Sequence, residues 1–88
     1  MATYRRTIPS ELGAGLRRAR LARGWSIRAT ERAIGVHHPY VSRLERGQLA
    51  PSVDVAERIV DRLQLSSGFA SELLRVAVRR GPDGRVIR

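Results

Sequence analysis

Cysteine is absent, which excludes a disulfide framework, a thiolate metal site and a cysteine nucleophile. Lysine is absent as well: all 17 Lys/Arg positions are Arg. A GC-rich coding bias accounts for Arg standing in for Lys, but not for the sign of the charge balance. Acidic residues number only 8, leaving a formal net charge of +9. No stretch approaches the roughly 18 consecutive apolar residues of a membrane span. The opening MATYRRTIPSE carries charge but no apolar core of a secretory signal, so a cytoplasmic protein is the default expectation. Internal repeats and low-complexity segments are also lacking.

What is present fits one small domain. The chain has 88 residues, so its core must be small and efficient. Its hydrophobic fraction of 42% is too high for a disordered basic tail. The positive excess calls for an anionic partner, with nucleic acid first and an anionic membrane surface second.

The punctuation predicts five short helices. Residues 1–9 read as a flexible basic arm, and Ser10 as the N-cap of a first helix. Leu12, Leu16, Ala19 and Leu21 give that helix an apolar side, with Arg17, Arg18 and Arg20 mostly facing elsewhere. Gly24 ends it near Arg23. Ser26 caps a second helix from Ile27 to Ile34, whose Ile27, Thr30 and Ile34 share a face. Gly35 suits a left-handed turn, and Val36 plugs it. A third helix is expected from His38 to Arg46, with Pro39 in its first turn, Val41 and Leu44 inward, and His38, Ser42, Arg43 and Arg46 outward. After the Gln48–Pro51 loop, Ser52 caps a fourth helix over 53–63, buried through Ala56, Ile59, Val60 and Leu63. Ser66 or Ser67 opens a fifth, buried through Phe69, Leu73, Val76 and Ala77. Gly81-Pro82-Asp83-Gly84 is a strong turn signal, so residues 78–88 form either a hairpin or a disordered basic tail. A hairpin alone is marginal in water and needs the helical body or a second chain.

Two short helices joined at Gly35-Val36 define a helix-turn-helix over residues 26–47, although an ordinary αα corner has the same outline. More than the turn matches. Arg23-Gly-Trp-Ser26, Ile34-Gly-Val36, Tyr40-Val-Ser-Arg-Leu-Glu-Arg-Gly47 and Pro51-Ser52 together resemble the lambda-repressor/Cro-like helix-turn-helix family, also called the XRE family. The resemblance covers about residues 11–65. It implies an all-α, five-helix domain spanning residues 10–77, with 38–46 as the recognition helix, that binds operator DNA as a dimer on inverted repeats.

The resemblance implies base-edge contacts from His38, Pro39, Ser42 and Arg43. Arg43 is the foremost of these because Arg can take guanine O6 and N7 together; a phosphate contact or a solvated face is its alternative. For His38 the alternative is a surface or capping role. Phosphate contacts map to Ser26, Ile27, Arg28, Tyr40 and Arg46, in part through backbone N–H groups at the start of the second helix. Tyr40 could equally pack against the turn. A structural ion pair is implied between Arg20 and Glu45. Three departures stand out. Ile27 occupies a position where Gln is common, Glu31 one where a small residue is usual after a larger apolar one (here Thr30), and the loop Gln48-Leu49-Ala50 is neutral where basic residues are common. Glu31 therefore requires an Arg or hydroxyl partner, or an altered helix crossing. Basic charge sits instead on the arm (Arg5, Arg6) and the tail (Arg79, Arg80, Arg85, Arg88), where it could reach phosphates or a minor groove.

Rival readings are weaker. The adjacent His37 and His38 lack a third group to orient them for catalysis and lack further ligands for a metal. Neither an enzyme, a cofactor nor a small-molecule effector is expected. A protein-interaction module docking an acidic partner, or an antitoxin that binds a toxin as well as DNA, remains the main alternative. A basic amphipathic membrane-surface helix would need the apolar stripe that the core already uses. A homodimer is expected, through Phe69, Leu73 and Leu74 on the fifth helix or through the tail strand.

Overall fold

Serine hydroxyls start three of the five helices. In the computed structural model, which describes residues 7–80 and 86–87, these are α2 (Ile27–Ile34), α4 (Val53–Leu63) and α5 (Ser67–Val76). Ser26 Oγ accepts from the Ala29 N–H at 3.0 Å, and Ser52 and Ser66 do the same for Val55 and Phe69. Each satisfies one of the orphan N–H groups of a helix start.

The other two, α1 (Ser10–Ala22) and α3 (Tyr40–Glu45), follow prolines and have no side-chain cap from the N-cap residue. Ser10 is therefore not a cap, contrary to the sequence expectation. Pro9 takes that place, and its carbonyl accepts from the Leu12 and Gly13 N–H groups. The third helix is also shorter than expected: His38 and Pro39 lie in the turn before it and Arg46 follows it. Pro39 is the N-cap residue, with φ −104° and ψ 48° outside the helical region, so the helix begins only at Tyr40.

The core gathers Leu12 and Leu16 of α1, Ile34 of α2, Val41 and Leu44 of α3, Ala56, Ile59 and Leu63 of α4 and Leu73 of α5. Ile8 joins them at 5% exposure, so the arm expected over residues 1–9 is already core by its eighth residue. Arg5 and Arg6 lie outside the described residues. On α1 the charge pattern misled: Leu12, Leu16 and Arg20 recur every four residues and share the inward face. Arg20 is buried, while Leu21, expected in the apolar stripe, is 52% exposed.

Gly13 sets how closely α1 meets α3. A Cβ there would collide with the carbonyl oxygen of Glu45 and come within 2.9 Å of that of Leu44. Gly35 takes φ 73° at the α2 C-terminus, the left-handed conformation the turn requires.

Past α5 the chain forms a short antiparallel ribbon, β1 (Arg79–Arg80) with β2 (Val86–Ile87), paired Arg79↔Ile87 and Arg80↔Val86. The hairpin alternative holds for these backbones; the Gly81–Gly84 turn, Arg85 and Arg88 lie outside the described residues. The helical body supports the ribbon. Val78 donates to the Pro51 carbonyl at 2.8 Å and accepts from the Val53 N–H at 3.1 Å, a parallel bridge beside the start of α4.

Candidate nucleic-acid interface

The α2–turn–α3 unit is held from behind by charged side chains. Arg20 donates from Nε to Glu45 Oε2 at 2.6 Å and from Nη2 to Oε1 at 3.1 Å. Its Nη1 reaches the Trp25 carbonyl at 2.9 Å, so one guanidinium ties α1, the α1–α2 corner and α3 together. The paired side chains are 7% and 8% exposed. Arg23 stacks over the Trp25 ring at 4.9 Å on the same corner.

Among the described residues, Glu31 is buried without an Arg or a hydroxyl partner. Its Oε2 accepts from the backbone N–H of Val41 at 3.3 Å, and its Oε1 lies 3.7 Å from His38 Nδ1. The expected partner was wrong in kind: α3 brings an uncapped N–H to the carboxylate, which answers the need for satisfaction. Thr30 keeps its hydroxyl inside by donating to the Ser26 carbonyl at 2.9 Å. Arg58 on α4 donates to the Ile34 carbonyl at 2.8 Å, closing the C-terminal end of α2. Nothing in the sequence singled out Gly13 or Arg58, because both act through an element distant in the chain.

The outward row expected on α3 divides. Arg43 and Arg46 are exposed; Ser42 is half-buried, and its Oγ accepts from Arg46 Nη2 at 3.3 Å. His38 is exposed and Pro39 half-buried, both on the turn rather than on the helix. Tyr40 is half-buried and packs against the core. At the start of α2, Ser26 and Arg28 are exposed and Ile27 is half-buried. Of the three α5 residues expected at a dimer contact, Leu73 is fully buried in this domain's own core and is withdrawn. Phe69 packs over Gly15, where its ring would meet a Cβ at 2.9 Å, and Leu74 remains 38% exposed.

These burials sort the charges. Residues 26–47 contain two acids, Glu31 and Glu45, and four arginines, Arg28, Arg32, Arg43 and Arg46. Both acidic side chains are buried and all four arginines are exposed, so every exposed Asp, Glu or Arg of the unit is positive. The helix-turn-helix domain profile matches residues 11–73. The chain belongs to the helix-turn-helix domain family. Such domains are DNA-binding modules. No curated protein matches the chain. Among the described residues, no helix is long and apolar enough to cross a membrane, and no group of three or more His, Cys, Asp or Glu could hold a metal.

Proposed function

We propose that this helix-turn-helix protein is a sequence-specific regulator of transcription in the cytoplasm, acting as a homodimer on an inverted-repeat operator and repressing by occlusion. The all-positive exposed charge of the α2–α3 unit carries this reading, since a duplex offers phosphates on both sides of the groove that α3 would enter. His38, Pro39, Ser42 and Arg43 are assigned to base edges. Ser26, Arg28 and Arg46, with the N–H groups around Ile27, are assigned to phosphates; Tyr40 joins them from a half-buried position. Arg79 and Arg80 extend the phosphate contacts, because Val78 anchors their strand beside Pro51, at the end of the neutral loop. Arg5 and Arg6 would act the same way from the segment before Ile8. Dimerisation is assigned to the α5 surface around Leu74.

Selecting bound sequences from random duplex DNA tests the proposal. The expected outcome is one symmetric motif with half-sites about 10 bp apart, or a multiple of that spacing. Arg43→Ala should then lose about 1–3 kcal/mol at a single base position. Uniform weakening on every duplex would move Arg43 to the phosphates, and no preferred sequence would end the reading.

A further inference from the structure

Glu31 places a carboxylate where the local fold gives no reason for one. It sits on α2 at 3% exposure, yet both its oxygens face the start of α3: one accepts from Val41 N–H and the other lies 3.7 Å from His38 Nδ1. The N-cap residue of α3 is Pro39, which supplies no side-chain bond. Six residues are too few for a helix to sustain itself, so the direction of α3 is fixed by the packing of Val41 and Leu44 and by what holds its ends. Arg20 and Glu45 tie its C-terminal end to α1, and Glu31 ties its N-terminal end to α2. His38 stands on the turn that leads into α3, with a side chain that is 60% exposed.

We propose that Glu31 is a positioning residue for base recognition: by holding the first turn of α3 through the Val41 N–H, next to the turn that carries His38, it sets base preference at that end of the site without touching DNA. The assignment rests on the reading of α3 as the base-reading helix. It also gives a use to one of the residues by which this chain departs from the family pattern. A small side chain there would leave the Val41 N–H without this partner.

The test compares the full-length chain with Glu31→Gln, Glu31→Ala and His38→Ala. Each is put through the same selection from random duplexes, with affinities measured for the preferred and a scrambled duplex. Loss of a hydrogen bond to a charged group corresponds to about tenfold, so the ratio of preferred to scrambled binding should fall by about that factor in Glu31→Ala and by less in Glu31→Gln, whose amide oxygen still accepts. The loss should fall on the base positions that His38→Ala also changes, and binding to scrambled duplex should not weaken. If Glu31→Ala does not fold, the isosteric Glu31→Gln carries the test. Wild-type base preference in the Glu31 variants would overturn the assignment alone, as would a loss spread evenly over all base positions. No preferred sequence for the wild-type chain would overturn the reading of α3 and this assignment with it.

Discussion

Gly13 shows how much one residue can decide without carrying any chemistry. Helix propensity favours Ala over Gly inside a helix by about 0.5–1 kcal/mol. At this position a methyl group would strike the backbone of Glu45 and Leu44, which cannot rotate aside as a side chain could. Overpacking of that kind costs about 1–3 kcal/mol and would push α1 away from α3. Gly13→Ala is therefore expected to lower the denaturant midpoint despite its better propensity. A raised midpoint would mean that the two helices can separate at little cost. Periodicity alone reads Gly13 as a neutral helix position, so this constraint was not legible in the chain. The left-handed turn at Gly35 was legible, since a Gly between two apolar helical patterns has few other uses.

At the level of elements, the second and fourth helices could be read from the sequence because their signals are local. A serine at the N-cap, an apolar face of period 3.6 and a terminating residue all lie within about a dozen positions. The start of α3 escaped that logic: proline in a first turn is normally permissive, yet Pro39 stands here as the N-cap, outside the helical region. Arg20 escaped it too, as its charge argued for solvent while its spacing argued for the core. Its pair with Glu45 joins residues 25 apart in sequence. Removing one partner strands a buried charge, so Arg20→Met should cost about 3–5 kcal/mol in chemical denaturation. The double variant Arg20→Met/Glu45→Met should recover most of that loss, because replacing a whole buried pair by apolar groups is often neutral. Equal losses in the single and double variants would show that packing, rather than charge, holds α3 to α1.

For the whole molecule, the fold brings both described ends of the chain to the loop that follows α3. A Cβ on Gly47 would lie 3.1 Å from the Ile8 carbonyl, and Val78 hydrogen-bonds on either side of Ser52. Ile8 and Val78 thus both lie beside a loop whose Gln48-Leu49-Ala50 stretch is neutral. Ile8 must stay, so the informative truncations remove residues 1–6 and, separately, 79–88. Each should flatten the salt dependence of DNA binding, by a slope of about 0.9 for every phosphate the shortened chain no longer neutralises. Unchanged slopes in both would assign those arginines to solvent. Sedimentation of the 79–88 truncation adds a second result. A dimer that persists locates the interface on the helices, near Leu74, whereas monomers would place it on the ribbon.

The sequence by itself determined the number of helices, the second and fourth helix starts, the tight turn at Gly35 and the excess of positive charge. Each depends on neighbours a few positions away or on composition, where the rules of backbone geometry and capping act directly. Only the tertiary structure decided which charges face outward. Whether a carboxylate or guanidinium can be buried depends on a partner delivered by another element: Arg20 for Glu45, the Val41 N–H for Glu31, and the Ile34 carbonyl for Arg58. That sorting turns a chain of mixed charge into a helix-turn-helix unit whose exposed Arg, Asp and Glu charges are all positive.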